Sequence, residues 1–226
     1  KWYIHKGMDF STWRSGDPII ATANGRVVTA AFDPSYGFNV IIQHKYGYYT
    51  RYAHMSRFNV QKGQTVSQGQ VIGYVGNTGS SGGAHLHYEI RDTQSEEIIN
   101  PFLFGVGYLI SDLEKPIINS LVVYPISTDA VANDENIPII LSLNKQSDGV
   151  YISEKVNAKG NIGFGVNTYD VMNNRYSKNG VYKLETFLNG SKTYEIIFDR
   201  FSFDETRRIN LLIDYERLGL TKERVQ

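Results

Sequence analysis

Two histidines separated by one residue, His85 and His87, have the clearest capacity for chemistry in this sequence. Tyr88 and Ile90 give the segment strand character, and residues two apart on a strand point to the same face. The two imidazoles should therefore project together, while Leu86 between them points the other way, into a core. Such a pair suits one metal ion, or one metal and one proton-transfer group. The alternative is two surface histidines on an edge strand.

Side chains of the same chemical kind occur earlier in the chain. His5 and Asp9 lie four residues apart around a glycine, so a strand end and the following turn could present both to one ion. Imidazole nitrogen and carboxylate oxygen are normal zinc donors, and catalytic zinc typically keeps three protein ligands and one open position. A hydrolase also needs a proton acceptor and a donor for the developing oxyanion. Five residues could cover all of these tasks: His5, Asp9, His54, His85 and His87.

Composition narrows the class of protein. The chain has 226 residues, enough for one large or two modest domains. Its zero formal net charge argues against a nucleic-acid-binding stripe and against an acidic interaction arm. It has no cysteine, so a metal site must use His, Asp or Glu. A cysteine-free chain fits a bacterial envelope protein at least as well as a cytosolic one.

Targeting signals are absent from the sequence given. No apolar run approaches the ~20 residues that span a bilayer, and no signal peptide is recognisable. Because Lys1 to His5 resembles the middle of a strand, we expect the chain to have been trimmed before residue 1. The sequence therefore leaves the compartment of the native protein open.

Frequent turn signals predict an all-β fold. In the first half, β-type runs flank Asn24-Gly25, which predicts a hairpin there. A strand from Phe38 to Gln43 should turn and return as Tyr48 to Ala53, which delivers His54. In the second half, six or seven strand-like runs within ~110 residues predict an immunoglobulin-like sandwich. We therefore expect a first domain over residues 1–110 and a β-sandwich over residues 111–226.

Three separated motifs in the first hundred residues resemble those of the lysostaphin-type zinc endopeptidases, which cut peptidoglycan peptides. The motifs are His5-x-x-x-Asp9, the Tyr-Ala-His that ends at His54, and Gly83-Ala84-His85-Leu86-His87-Tyr88-Glu89-Ile90. The similarity covers about residues 2–101. It implies a mostly antiparallel β catalytic domain with an open groove floored by a sheet.

The resemblance also implies a division of labour among the five residues. Zn²⁺ would be held by His5, Asp9 and His87. His85 would be the general base that takes a proton from the zinc-bound water, and His54 would stabilise the oxyanion or protonate the leaving amine. The assignment of these last two roles stays open.

The function implied is hydrolysis of peptide cross-links in bacterial peptidoglycan by a periplasmic, envelope-bound or secreted enzyme. Its partners would be stem or bridge peptides, with no nucleic acid and no membrane span in this chain. We favour the D-Ala–diaminopimelate cross-link, although the bond that is cut and the oligomeric state stay open. One alternative is a catalytically silent peptidoglycan binder or amidase activator of the same fold. A biotinyl- or lipoyl-type carrier is disfavoured, because Lys45 and Lys62 lack the required hairpin setting.

Three further residues, His44, Tyr52 and Glu89, lie outside the set of five and are interpreted separately. We expect His44 to be structural, because it precedes a predicted hairpin and matches no catalytic position of the family. Tyr52 should share the strand face of His54 and could line a cleft or pack in the core. Glu89 lies on the His85/His87 face, where we expect a surface or salt-bridging residue; a role at or behind the metal is the alternative.

Overall fold

The computed structural model divides the chain into two compact units. The residues it describes are 4–11, 14–105, 112–172 and 178–222. The first unit contains residues up to 105 together with Asp199–Arg207, and the second contains residues 112–198 and those from 208 onward. The domain bounds 1–110 and 111–226 stay a prediction.

Most regular structure in the described chain is β-strand, so the mostly β fold class is confirmed. The first nine strands are β1 Met8–Phe10, β2 Pro18–Ile20, β3 Gly25–Asp33, β4 Gly37–Gln43, β5 Tyr48–Phe58, β6 Thr65–Val66, β7 Val71–Val75, β8 Leu86–Asp92 and β9 Ile98–Ile99. The later strands are β10 Ile117–Pro125, β11 Val131–Ala132, β12 Ile139–Leu141, β13 Leu143–Lys145, β14 Tyr151–Ser153, β15 Ala158–Lys159, β16 Ile162–Val171, β17 Lys178–Asn179, β18 Lys183–Leu188, β19 Ser191–Ile197 and β20 Arg200–Phe201. The helical segments are the 3₁₀ turns Lys45–Gly47, Pro101–Phe104 and Glu205–Leu212, and helix α1 Tyr215–Thr221.

One sheet organises the first unit. Its hydrogen-bonded order is β20-β9-β8-β5-β4-β3-β6, with β1 added to β8, β7 to β5 and β2 to β7. Every one of these pairings is antiparallel, as expected for the first domain. The longest strand, β5, has 11 residues and pairs with β4, β7 and β8. The sheet is therefore built around β5 and its neighbour β8.

The two faces of β8 have different surroundings, as the two-residue period of a strand requires. Tyr88 and Ile90 lie in the buried apolar core, and Leu86 packs against that core from its edge, as predicted. The alternate residues of β8 carry the polar groups described below. The core consists of Ile19, Ala21, Val27, Val40, Ile42, Tyr52, Met55, Val60, Val66, Ile72, Val75, Tyr88 and Ile90.

The prediction of a hairpin at Asn24-Gly25 is wrong. β2 pairs with β7, whereas β3 pairs with β4 and β6, so the strands on either side of this dipeptide do not pair with each other. Asn24 instead joins other segments: its backbone oxygen accepts from Nδ1 of His44 at 2.9 Å, and its Oδ1 accepts from the Gln68 N–H at 2.7 Å. Gly25 permits close approach to β4, since a Cβ there would stand 2.5 Å from the Gln43 carbonyl oxygen.

A distant segment completes the sheet of the first unit. Arg200–Phe201 of β20 pairs with Ile98–Ile99 of β9. The Ile4 N–H donates to the carbonyl oxygen of Thr206 at 3.2 Å, and Thr206 is 4% exposed. This backbone bond anchors the residue that precedes His5.

The second unit has a smaller core. Its main sheet has the order β12-β10-β16-β17, and three further strand pairs are β11–β15, β13–β14 and β18–β19. The Asn189-Gly190 hairpin between β18 and β19 is confirmed; positive φ values of 51° and 82° match a type I′ turn. The immunoglobulin-like sandwich stays a prediction. No helix within the described residues is long and apolar enough to cross a membrane.

Candidate metal centre

Three side chains converge at one edge of the β5–β8 face. One ligand atom from each of His5, Asp9 and His87 can be chosen so that all three lie within 4.8 Å of one another. Nδ1 of His87 lies 2.9 Å from Oδ1 of Asp9, and Nε2 of His5 lies 3.4 Å from that oxygen. The rings of His5 and His87 meet edge to face with centroids 5.0 Å apart. Residues separated by about eighty positions in sequence therefore form one cluster of nitrogen and oxygen donors.

Strand pairing accounts for this convergence. β1 runs antiparallel to β8 and places Asp9 directly opposite His87. Just before β1, the backbone passes so close to β8 that a Cβ on Gly7 would stand 2.3 Å from the Tyr88 carbonyl oxygen. Only glycine fits there, so the spacing between His5 and Asp9 depends on Gly7.

Substitution of Gly7 by alanine should weaken metal binding without removing any of the three candidate ligands. The added methyl group would also stand 3.0 Å from Cε1 of His87, so the segment that carries His5 and Asp9 must move. We expect the zinc affinity to fall on the order of 10- to 100-fold, measured by competition with a chelator. Gly82→Ala is the matched control, because a Cβ at Gly82 meets nothing within 4 Å. Equal affinities for the two variants would contradict this account.

The two predicted catalytic histidines lie beside this cluster. The ring of His54 is 4.8 Å from that of His85 and 5.7 Å from that of His87, centroid to centroid. Nδ1 of His54 lies 2.8 Å from the carbonyl oxygen of Thr78, and Nδ1 of His85 lies 2.8 Å from that of Gly83. Because a carbonyl oxygen only accepts, both Nδ1 atoms carry a proton. In the neutral imidazole each Nε2 then keeps a lone pair.

The backbone at His54 is what turns its side chain toward the site. His54 has φ of 58°, the left-handed region, inside strand β5. The register of β5 against β4 shifts between the pairs Val40–Tyr52 and Phe38–Met55, so a bulge surrounds His54. Tyr52 therefore faces the core, where it is fully buried and donates or accepts hydrogen bonds with Thr22. The prediction that Tyr52 and His54 share a face is wrong, and packing is the role of Tyr52.

This backbone conformation predicts that glycine at position 54 gives a more stable chain than alanine does, which is the reverse of the usual order within a strand. Glycine adopts positive φ at little cost, whereas alanine does not. We expect the His54→Gly chain to be about 1 kcal/mol more stable than His54→Ala, measured by urea unfolding of the zinc-free protein. The same pair of substitutions at Ser56, on the same strand with an ordinary φ, should give the usual order with alanine more stable. A more stable His54→Ala chain would contradict the strained conformation.

Electrostatics favour an ionised carboxylate at Asp9 and a protonated imidazole at His87. Burial opposes ionisation of Asp9, but hydrogen bonds with His5 and His87 outweigh it and hold the pKa of Asp9 well below its usual range. Burial lowers the pKa of His87, yet its bonds with Asp9 and Glu89 raise that pKa to about 9. For His54, burial is the main cause of a lowered pKa. His54 is therefore neutral at pH 7, and the Asp9 carboxylate is ionised, as a metal ligand must be.

Glu89 is the residue beside the cluster that the sequence interpretation placed poorly. Its side chain is completely buried, so the predicted surface position is wrong, although the predicted salt bridges exist. Oε1 of Glu89 accepts from Nε2 of His87 at 3.0 Å, and Oε2 accepts from Nε of Arg91 at 2.7 Å. Nε2 of His87 is thereby occupied as a donor, and Nδ1 is directed to Asp9. The His-x-His-x-Glu spacing, which puts all three side chains on one face, was the available signal.

His44, the remaining histidine, lies outside this cluster. Its Nδ1 donates to Asn24, and its Nε2 lies 2.6 Å from Oγ1 of Thr50. Thr50 is buried at the core face of β5 and also bonds Tyr52. These contacts fit the structural role predicted for His44.

Comparison with known proteins places the first part of the chain in a family. Residues 3–101, which carry the three motifs, match Peptidase family M23. The resemblance drawn from the motifs is thereby confirmed. The Peptidoglycan DD-endopeptidase ShyA of Vibrio cholerae serotype O1 is 48% identical over 86 residues, which are 38% of this chain and 20% of that protein.

Two further relatives match a similar share of the chain. The DD-carboxypeptidase/endopeptidase Mpg of Neisseria meningitidis serogroup B is 43% identical over 90 residues, 40% of this chain and 20% of that protein. The chain thus spans about a fifth of the length of these curated relatives. Among solved structures, the catalytic domain of lysostaphin from Staphylococcus simulans is 30% identical, with a TM-score of 0.42 over 44% of this chain and 77% of that one.

Proposed function

We propose that this chain is a zinc-dependent endopeptidase that hydrolyses peptide cross-links of bacterial peptidoglycan. The observation that carries the proposal is the cluster of His5, Asp9 and His87, whose donor atoms lie within 4.8 Å of one another beside two further imidazoles. The similarity to ShyA and Mpg, both named as endopeptidases, supports the reaction class. We place the enzyme in the cell envelope or outside the cell for the same reason.

The donor set fits zinc. Two imidazoles and one carboxylate are ligands that zinc accepts, and three protein ligands leave one position of a tetrahedral site for water or substrate. The buried Glu89 acceptor holds Nε2 of His87 as a donor. Nδ1, which donates to Asp9 in this structure, is therefore the nitrogen that would bind a metal once its proton is released. When bound, zinc would act as a Lewis acid that activates water and polarises a peptide carbonyl.

The remaining residues would handle protons. His85 keeps a proton on Nδ1 through the Gly83 carbonyl, so its Nε2 can accept a proton from the attacking water. His54 is oriented in the same way by Thr78, and its Nε2 can receive a proton and then donate it to the oxyanion or the leaving amine. Because both rings are held by backbone carbonyls, neither needs to reorient during the reaction. The assignment of base to His85 and of oxyanion donor to His54 follows the family resemblance.

The D-Ala–diaminopimelate bond is the cross-link we assign as substrate. The relatives named DD-endopeptidases support a bond between D-amino-acid centres rather than a glycine bridge. Purified peptidoglycan of the diaminopimelate type, digested by the zinc-loaded chain, should yield monomeric muropeptides at the expense of dimers by mass spectrometry. Chelation should stop the digestion, and added zinc should restore it.

The His54→Ala variant separates catalysis from binding. It keeps the three proposed ligands, so it should retain stoichiometric zinc and lose digestion. A purified chain that holds no divalent metal and leaves peptidoglycan intact would instead favour a catalytically silent binder. Full digestion by His54→Ala would show that His54 does not transfer protons in the reaction.

A further inference from the structure

A cavity of mixed polar and apolar lining, with Val28 and Ile41 on its apolar side, lies on the same sheet as the candidate metal centre. Its volume is about 200 Å³, and Thr29, Tyr49, Arg51, Arg91 and Glu96 are among its lining residues. The mechanism proposed above uses none of these five side chains. Two of them are arginines, Arg51 and Arg91.

Strand register places the cavity relative to the centre. Across β5 and β8, Ala53 pairs with His87, Arg51 with Glu89, and Tyr49 with Arg91. His87, Glu89 and Arg91 share one face of β8, and each step of two residues advances about 7 Å along a strand. Arg51 therefore stands about one such step from the proposed ligand His87. This distance is within reach of a peptide whose scissile bond lies at the metal.

The two arginines differ in the hydrogen-bond partners of their guanidinium groups. Arg91 donates from Nε to Glu89 at 2.7 Å and from Nη2 to the Tyr36 hydroxyl at 3.2 Å. Arg51 stacks on the Tyr36 ring at 3.9 Å, and its Nε lies 3.9 Å from Oε2 of Glu89, beyond hydrogen-bond distance. Nε of Arg51 is buried without a hydrogen-bond partner, although the side chain as a whole is 15% exposed. A guanidinium in this setting normally has partners for its donors.

The charges around Arg51 also indicate that it is incompletely paired within the protein. Glu89 is the buried carboxylate shared by both arginines, and it is also engaged by His87. Glu96, at 3.9 Å from Nη1 of Arg91, has a side chain that is 62% exposed and contributes little. Arg51 shares Glu89 with Arg91 and has the Asp33 charge nearby, so it is the less closely paired of the two arginines that line the cavity. A planar fork of donors in such a place matches a carboxylate.

We propose that this cavity is a subsite in which Arg51 binds a carboxylate of the peptide substrate. The proposal rests on the proposed function and sharpens its substrate class. In a D-Ala–diaminopimelate cross-link, the carbon attached to the scissile nitrogen also carries a free carboxylate. A lysine or glycine at that position carries none. The subsite would therefore select diaminopimelate cross-links over lysine or glycine bridges.

The direct test compares substrates that differ in one charge. Three cross-linked muropeptide dimers are offered to the zinc-loaded chain: one with free carboxylates, one with the diaminopimelate carboxyl next to the scissile amide converted to amide, and one with the terminal D-Ala carboxyl amidated. We expect the dimer amidated on diaminopimelate to lose on the order of 10- to 100-fold in kcat/KM and the dimer amidated on D-Ala to keep its value. A loss confined to the dimer amidated on D-Ala would overturn the proposal. Arg51→Gln should lower kcat/KM on the free dimer by the same factor and leave the dimer amidated on diaminopimelate unchanged.

Controls distinguish this subsite from a structural arginine. Arg57→Gln changes an exposed arginine of the same strand that stacks on Tyr74, and it should keep the full preference. If Arg51→Gln does not fold, the kcat/KM values of the parent chain on the three dimers alone decide whether the subsite exists. Equal kcat/KM of the parent on all three dimers would overturn the proposal, as would an Arg51→Gln chain that keeps the preference.

Binding separates this inference from the proposed function. Dissociation constants of the three dimers are measured on the zinc-free chain, where no cleavage is needed. If the zinc-loaded chain cleaves none of them, the proposed function fails, and the ranking of dissociation constants still tests the subsite. A larger dissociation constant for the dimer amidated on diaminopimelate supports it. Three equal constants, or a loss of affinity confined to the dimer amidated on D-Ala, overturn it.

Discussion

Alanine in place of His87 is expected to abolish zinc binding and to lower kcat/KM on cross-linked muropeptides by about 1,000-fold or more, because the metal supplies several kcal/mol of transition-state stabilisation. His87 is the buried member of the three proposed ligands, whereas His5 and Asp9 are exposed. Its removal also leaves Asp9 without its 2.9 Å hydrogen bond. Zinc content by mass spectrometry of the native protein and muropeptide digestion measure the two effects.

His44→Ala is the control for this prediction. It removes an imidazole that bonds Asn24 and Thr50, outside the cluster. This variant should keep stoichiometric zinc and full digestion, with only a change in stability. A His87→Ala chain that holds zinc as firmly as the parent and digests at the same rate would remove His87 from the ligand set.

Loss of Glu89 should have the largest effect on stability. Glu89→Ala leaves His87 without an acceptor for Nε2 and leaves two arginines without their shared carboxylate. Removing one partner of a buried ion pair costs about 3–5 kcal/mol, and loss of the group that orients a ligand lowers metal affinity about 10- to 100-fold. Urea unfolding of the zinc-free chain measures the first effect, and chelator competition measures the second.

Two variants show which property of Glu89 matters. Glu89→Gln keeps an oxygen that can accept from His87 but removes the charge, so its zinc affinity should lie between those of the parent and Glu89→Ala. Glu96→Ala removes an exposed carboxylate that also faces Arg91 and does not contact His87, so it should bind zinc like the parent. If Glu89→Ala folds and binds zinc with unchanged affinity, Glu89 is not a positioning residue.

The periodic features of the site could be predicted from the sequence. The two-residue period of a strand is a local property, and it correctly placed His85 and His87 together with Leu86 against the core. The His5-x-x-x-Asp9 spacing likewise led to a cluster, because β1 pairs with β8 in a register that sets Asp9 opposite His87. These predictions needed only alternation and the right strand neighbours.

The predictions that failed concern features that depend on tertiary contacts. The positive φ of His54 arises from a bulge between β4 and β5, and no residue type near it announces such a bend. Burial of Glu89 depends on arginines from two strands. The Asn24-Gly25 dipeptide has ordinary hairpin chemistry, but its groups are used by His44 and Gln68. The pairing of β20 with β9 joins segments about a hundred residues apart, which no local pattern encodes.

Anomalous scattering at the zinc edge from zinc-loaded crystals tests the central claim most directly. The account predicts one strong peak about 2.0–2.2 Å from a nitrogen of His5, a carboxylate oxygen of Asp9 and Nδ1 of His87, with one position left open. Nε2 of His87 should still donate to Glu89. A peak elsewhere in the chain, or a zinc ion bound through His54 or His85 in place of these ligands, would contradict the account.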